Sequence, residues 1–376
     1  MRKIVYILFF WILSILLNDS GVIASLKAQQ NVLSPVFDLS IEKPVTFPSL
    51  NFSLYNLNFN KNNEYFNSIH EGYTLFGTQL FPKLVYSPSE KISLEGGVFL
   101  LNDFGRKNFS DIDPVFTLRY HTNHLQLLFG NISSDHAHRM IHPLFDFERA
   151  IHNRVENGSQ ILLDFPFLWT DGWMNWEKYI EHGDPFREEF TAGLSTVFKT
   201  VEKTEGNQFK LPVQLMFTHK GGQIDTDPSP LETFFNAASG ISNQYTLTNG
   251  TKYSFSLFYA IYRDLSPAKL TPFHLGDGWL SELDINTKYL QFILEYWDGN
   301  RFLSRNGGPL YLSQSKDDFS VTESSRKLVT VRLIHEMSPL KNFFLSARFE
   351  PYYDLNHTLL EYSYGIYATY KLMTDL

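Results

Sequence analysis

The sequence predicts an all-β fold, a transmembrane antiparallel up-and-down β-barrel of about 16 strands, and three observations support it. From Glu361 to Leu372 every second residue is apolar. Because successive side chains of a strand lie on opposite faces, this pattern predicts a strand with one apolar face, which includes Tyr364 and Ile366. Short turns and longer loops alternate along the chain, as they do between the two ends of such barrels. After residue 28, no apolar run is long enough to cross a membrane as a helix.

The composition fits a protein that faces lipid. Of the 376 residues 16% are aromatic, which suits an outer wall with interfacial girdles. The formal net charge of -8 argues against nucleic acid as a partner. The chain has no cysteine, which excludes disulfides, a thiol nucleophile and thiolate metal sites.

The first residues read as a secretory signal peptide. Arg2 and Lys3 precede an apolar run of fourteen residues, Ile4 to Leu17, whereas a membrane-spanning helix needs about 20. A membrane-anchor helix is therefore the weaker alternative. We expect cleavage after Ala28, so that residues 1–28 are a signal peptide, 29–49 a periplasmic lead-in and 50–376 the transmembrane β-barrel domain.

The predicted connections fall into two classes. Asn249-Gly250 is the clearest hairpin signal. The first strand, from Leu50 to Phe59, alternates imperfectly, and leaving it out with one neighbour gives 14 strands. An exported β-sandwich competes with the barrel, but the sequence has no linker between two domains. Short turns are predicted near residues 88, 123, 171, 206, 250, 287 and 340, and longer joins at 60–72, 104–112, 133–158, 181–188, 220–239, 264–276, 299–326 and near 355.

This pattern resembles porin-like outer-membrane β-barrel proteins, and Lys27-Ala28-Gln29 with the Asn- and Tyr-rich strands resembles those of Bacteroidetes. The resemblance implies a place in the outer membrane of a Gram-negative bacterium, in contact with lipid and lipopolysaccharide. It also implies insertion by the outer-membrane assembly machinery through the closing strand, and it allows other outer-membrane protein subunits as partners. It does not identify a substrate.

In such a barrel the polar face of each strand lines the lumen. Charges of both signs on opposite walls can orient polar solutes in a pore, or they can pair across the lumen and stiffen it; the sequence leaves both open. The predicted lumen-lining residues are Glu95, Arg119, Lys199, Glu295, Arg332, Arg348, Glu350 and Glu361.

The loop from Ser133 to Gly158 combines histidines with apolar residues, so we expect it to constrict the lumen or to dock a partner. Asp135, His136 and His138 can reach one metal ion, but their spacing matches no known motif. We therefore expect neither a metal nor another cofactor. The candidate residues of this loop are His136, His138, His142, Phe145, Phe147 and Arg149.

These observations favour a porin-like diffusion channel for small polar solutes. The alternative is a non-conducting barrel subunit of a larger outer-membrane assembly that serves secretion, protein insertion or nutrient uptake. A barrel hydrolase, using Ser134 with His136 or Asp135 with His138, is the third possibility. Because the Gly-x-Ser-x-Gly pattern is absent and no base stands at a recognised spacing, we expect no catalytic residues and no enzyme.

Overall fold

The computed structural model describes residues 34–39, 46–133, 137–200 and 206–376. Within these ranges sixteen antiparallel strands form one closed barrel. Each strand pairs with its neighbours in sequence, and β1 pairs with β16 to close the barrel. This confirms the predicted fold class and strand number. The predicted signal peptide, residues 1–28, lies outside the described residues, and so does much of the lead-in.

The strands are β1 (Ser49–Glu64), β2 (Thr74–Ser89), β3 (Ile92–Asp103), β4 (Asp111–His121), β5 (Leu125–Asn131), β6 (Asn157–Phe165), β7 (Leu168–Lys178), β8 (Glu189–Lys199), β9 (Gly206–Lys220), β10 (Glu232–Thr246), β11 (Lys252–Asp264), β12 (Leu275–Asn286), β13 (Gln291–Asn300), β14 (Ser325–Leu340), β15 (Phe343–Asp354) and β16 (Leu359–Asp375). A short helix, α1 (Arg149–His152), and two 3₁₀ turns, Ala137–Arg139 and Pro309–Tyr311, lie in the two longest loops. In the described part of the chain, no helix is both long and apolar enough to span a membrane.

The connections differ between the two ends of the barrel. The end where β1 begins and β16 finishes carries the short turns, such as residues 90–91 and 341–342, and we call it the turn end. The opposite end, the loop end, carries the longest connections, residues 132–156 and 301–324. In barrels of this kind the short turns face the periplasm and the long loops face outside.

The turn predicted near residue 171 is wrong. The hairpin closes at residues 166–167, where Phe165 pairs with Leu168, and β7 runs on through Asp171. Asp171 points into the lumen and accepts a hydrogen bond from Gln160 Nε2 at 2.8 Å. An Asp-Gly pair therefore fits inside a strand here, because the inner wall offers polar partners.

The closing strand has the phase that the sequence predicts. Tyr364 and Ile366 lie on the outer wall with 43% and 55% of their surface exposed, while Glu361 and Thr369 are buried on the inner side. An apolar outer wall is the surface that lipid requires.

In the described part of the chain, three segments enter the lumen: residues 34–39, the described part of loop 132–156, and loop 301–324. Leu144 and Phe145 of loop 132–156 pack in one apolar cluster with Trp297 of the wall and Phe302 of loop 301–324. Phe37 of the first segment belongs to a second cluster, which includes Ile151 of α1. The interior is therefore a packed core.

Candidate functional site

One strip of the outer wall is polar. In β1 the odd-numbered residues from Tyr55 to Asn63 are buried inside the barrel, so the even-numbered residues face outward. Their partners on β16 include Tyr364 and Ile366, which are exposed. We call the outward set the Asn ladder: Asn56, Asn58, Asn60, Asn62 and Glu64.

Hydrogen bonds fix three amides of the ladder, those of Asn56, Asn58 and Asn62. Thr74 Oγ1 of β2 donates to Asn62 Oδ1 at 2.5 Å, and Asn62 Nδ2 donates to Glu64. Nearer the middle of the wall, Asn58 Nδ2 donates to Asn56 Oδ1 at 2.8 Å. Each of these amides therefore has a set orientation, with part of its surface still exposed.

The position of the ladder needs an explanation, because an unsatisfied polar group in hydrocarbon costs several kcal/mol. Among the described strands, no other outer face has four consecutive amide side chains. The ladder spans about 26 Å of β1 at the rise expected of a strand, and it ends at the loop end. It thus offers hydrogen-bonding groups to the polar part of a lipid lying against the wall.

A basic loop lies two strands away from the ladder. Residues 104–110 join β3 to β4, and Phe104 N donates to the carbonyl of Phe76 at 2.8 Å. Their rings meet edge to face with centroids 4.8 Å apart. Arg106 and Lys107 follow and are exposed. Cations at this height suit the phosphate groups of a lipid headgroup.

Four of the residues predicted to have functional roles meet inside the barrel. Arg332 donates to Glu295 at 2.5 and 2.8 Å, and its Nε lies 3.3 Å from Glu350. Arg332 also donates to His142 Nδ1 at 2.6 Å. Burial and the nearby guanidinium lower the pKa of His142 to about 4, so this imidazole is neutral. The group joins loop 132–156 to the wall.

The other predicted lumen residues also lie on the inner wall. Their use in solute selection stays a prediction, but most of them make contacts with nearby strands of the wall, and Arg348 contacts loop 132–156. Glu95 is 2.8 Å from Lys83 and 3.1 Å from Arg119, Lys199 is 3.4 Å from Asp164, Arg348 lies 4.5 Å above the ring of Phe147, and Glu361 accepts hydrogen bonds from Asn67 and Tyr352.

His138 is held between two carboxylates. Its Nδ1 lies 2.9 Å from Asp171 and its Nε2 lies 2.8 Å from Glu156, while its ring stacks on Trp173 at 3.7 Å. Burial lowers the pKa of His138, but the two carboxylates outweigh it and raise the pKa to about 9. A charged ring with both nitrogens engaged is not a general base.

The remaining loop candidates also pack inside the barrel. Phe145 meets the His138 ring edge to face at 5.5 Å, Phe147 meets Phe37 at 4.9 Å, and Arg149 lies 3.8 Å from Glu156. His136 lies outside the described residues, as do Ser134 and Asp135.

One group of potential metal ligands stands at the loop end. The ligand atoms of Glu323, Asp354 and His357 lie within 4.8 Å of one another. Arg326 NH1, however, is 2.7 Å from both carboxylates. The guanidinium already supplies the positive charge that these carboxylates attract.

Sequence reasoning missed the ladder, although its signal was present. Asparagine occupies every second position from 56 to 62, which is period two with a polar face. The predicted strand ends at Phe59, and the polar residues beyond it fall in the predicted join 60–72. A polar face was expected to line the lumen, whereas β1 turns this one outward.

The closed sixteen-strand barrel is the fold of outer-membrane β-barrel proteins. It is similar to OmpT, an outer membrane protein of Vibrio cholerae. A loop L8 deletion mutant of OmpT gives a TM-score of 0.53 at 10% identity, covering 86% of this chain and 100% of that chain. OmpT expressed in the outer membrane gives 0.52 at 11% identity, covering 88% and 100%. No curated protein sequence matches the chain.

Residues 43–376 match the family described as Lipid A 3'-O-deacylase-type, and the chain belongs to that family. This is a family of enzymes, so the expectation that the protein is not an enzyme is wrong. The expectation rested on the residues of loop 133–158 and on a motif of soluble hydrolases. Neither bears on the outer wall, where the Asn ladder lies.

Proposed function

We propose that the protein is an outer-membrane hydrolase that removes an ester-linked acyl chain from lipid A. The observation that carries the proposal is the Asn ladder, a strip of four amides, three of them oriented by hydrogen bonds, that ends in a carboxylate on an otherwise lipid-facing wall. The acyl esters of lipid A lie where headgroup and hydrocarbon meet. An enzyme acting there needs polar groups on its outer surface, and the family description names this reaction.

The ladder supplies the groups that ester hydrolysis needs. Amide N–H groups of Asn60 and Asn62 donate to the ester carbonyl oxygen and stabilise the negative charge that develops on it. Glu64, the one ionisable group of the ladder, accepts a proton as water attacks the carbonyl carbon. The carbon–oxygen bond then breaks, and Glu64 returns the proton to the alcohol oxygen of the sugar.

The basic loop adds recognition of the headgroup. Lipid A carries phosphate groups, and Arg106 and Lys107 are exposed at the same end of the barrel, two strands away from the ladder. Charge-assisted hydrogen bonds to phosphate fix a headgroup more firmly than neutral ones. We therefore expect loss of these cations to raise KM more than it lowers kcat.

The experiment is hydrolysis of purified lipid A by the protein in mixed micelles, followed by mass spectrometry. We expect loss of one acyl chain and release of one equivalent of fatty acid. Glu64→Gln should lower kcat about 100-fold, within the range for loss of a general base. Glu71→Gln, an exposed carboxylate of the adjacent loop, is the control. Intact lipid A with the wild-type protein, or full activity in Glu64→Gln, would refute the proposal.

A diffusion channel for small polar solutes is the second candidate. A cavity of about 300 Å³ at the turn end favours it, with Arg119, His124 and Asp164 in its lining. The inward loops oppose it, because they contribute to the two apolar clusters packed inside the barrel. Steady, salt-dependent conductance in planar bilayers would support a channel. Absence of conductance, together with a second chain that co-purifies in stoichiometric amount, would support a subunit of a larger outer-membrane assembly.

We further propose export through a cleaved signal peptide, residues 1–28, and insertion into a Gram-negative outer membrane by its assembly machinery. The charged start and short apolar run support the first step. The long closing strand paired with β1 supports the second. Mass spectrometry of the mature N-terminus and membrane fractionation would test them.

A further inference from the structure

We propose that Glu148, inside the lumen, is a positioning residue for the site on the outer wall. This inference rests on the proposed function of the Asn ladder. Glu148 belongs to loop 132–156, which enters the barrel, so the segment that fills the lumen also sets the geometry of the wall.

Three side chains of the wall converge on the Glu148 carboxylate. Lys61 pairs with Oε1, Asn63 Nδ2 donates to Oε1 at 3.3 Å, and Tyr73 donates to Oε2. Lys61 and Asn63 come from β1, and Tyr73 lies directly before β2. One carboxylate thus ties the loop-end parts of two neighbouring strands together.

These three residues alternate with the residues of the proposed site. Lys61 lies between Asn60 and Asn62, Asn63 lies between Asn62 and Glu64, and Tyr73 precedes Thr74. In a strand, neighbouring side chains project from adjacent Cα atoms to opposite faces. A shift of the inner anchor therefore moves the backbone that carries the outer group.

Glu148 is itself held firmly. Its backbone N donates to Asp146 Oδ1 at 3.1 Å, and Ile151 N donates to its carbonyl at 2.9 Å. Burial raises the pKa of the Glu148 carboxyl, but Lys61 and the hydrogen-bond donors outweigh it and bring the pKa below its ordinary value. The carboxylate is therefore charged, and its removal leaves Lys61 buried without its partner.

Glu156 of the same loop provides a matched control. It is also ionised and is more deeply buried than Glu148, but it contacts His138 and Arg149 rather than β1 or β2. A general loss of loop packing would affect the two glutamates alike. Of the two glutamates, only Glu148 contacts the strand that carries the Asn ladder, so only its loss should disturb the ladder.

The first readout is lipid A hydrolysis by Glu148→Gln and Glu156→Gln. We expect Glu148→Gln to lower kcat about tenfold, because small misplacements of reacting groups cost this much or more, with KM within about twofold. Glu156→Gln should stay within about twofold of the wild type in both. The double variant Lys61→Gln with Glu148→Gln, which leaves no unpaired charge, should regain most of the lost kcat. Equal losses in the two single variants, or no rescue, would overturn the inference.

The second readout does not depend on activity. The chain has no cysteine, so Asn60→Cys gives one site for a spin label on the outer wall. We expect Glu148→Gln to change the mobility of that label and Glu156→Gln to leave it unchanged. An inactive wild type with this result would refute the proposed function and retain the positioning role. A label that responds equally to both variants, or to neither, would refute the positioning role.

Discussion

Asn62 illustrates how single side chains define the proposed site. Its amide oxygen accepts a hydrogen bond from Thr74 and its amide nitrogen donates one to Glu64, so these two neighbours set the orientation of the amide group. An aspartate could not donate to Glu64, and a leucine could do neither. The residue type therefore follows from the two bonds it makes.

Thr74→Val tests that orientation. The change removes the hydroxyl and keeps the shape, so the Asn62 amide is free to rotate and activity on lipid A should fall about tenfold, the effect of losing roughly one hydrogen bond. Thr78→Val is the control, since Thr78 bonds Asn56 at the far end of the ladder. Equal rates for the two variants would show that the Thr74 bond is not needed.

His138 predicts how stability depends on pH. Because its pKa is about 9 in the fold and about 6.5 in an unfolded chain, the folded state binds the proton more tightly. The contribution of protonated His138 to the free energy of unfolding is fully present below about pH 6.5 and is lost as the pH rises through 9. We expect the melting temperature in detergent to fall between pH 6.5 and 9.5, and His138→Gln to remove most of that fall. If the melting temperature of His138→Gln falls as much as that of the wild type, groups other than His138 cause the pH dependence.

At the scale of the element, β1 differs from every other strand. Its inner face carries aromatic and aliphatic residues such as Tyr55, Leu57 and Phe59, which pack against the inward segments. Its outer face carries the Asn ladder. The usual distribution is therefore reversed over residues 55–60, and the pairing of β1 with β16 and β2 keeps that reversal in place.

The closing strand must keep its apolar outer face. We expect Tyr364→Asp with Ile366→Asp to block stable insertion, because charges on the lipid face of a barrel cost up to a few kcal/mol each near the midplane. Loss of the heat-modifiable band on a gel would report it. Asn58→Asp, a charge added on the Asn ladder, should still insert. Normal insertion of the double variant would contradict the assigned outer face.

At the scale of the whole molecule, the barrel is a rigid frame around a packed interior. Charged groups such as Arg332 and Glu295 join the loops to the wall instead of lining an open path. A pair of this kind is costly to break on one side, typically about 3–5 kcal/mol. Contacts between the barrel wall and the inward loops therefore stabilise both.

A packed interior predicts an electrically silent protein. In planar bilayers we expect no steady conductance from the purified wild-type barrel, because two apolar clusters of the described residues pack inside the lumen. Channels of constant size that scale with salt concentration would contradict this, and they would favour the channel over the hydrolase.

The sequence by itself determined the barrel, its sixteen strands and the faces of the closing strand. These properties follow from period-two alternation and loop lengths, which are local. It also indicated that Phe145 and Phe147 make loop 133–158 pack against something. These features could be predicted because each depends on a pattern within one strand or one loop.

Only the tertiary structure decided what fills the lumen and which way β1 faces. Glu148 meets Lys61 across 87 positions of sequence, and the outward direction of the Asn ladder depends on the register of β1 with β16 and β2. Alternation shows that a strand has two faces, but it does not say which face meets lipid. That choice is made by the partners on each side, and they come together only when the barrel closes.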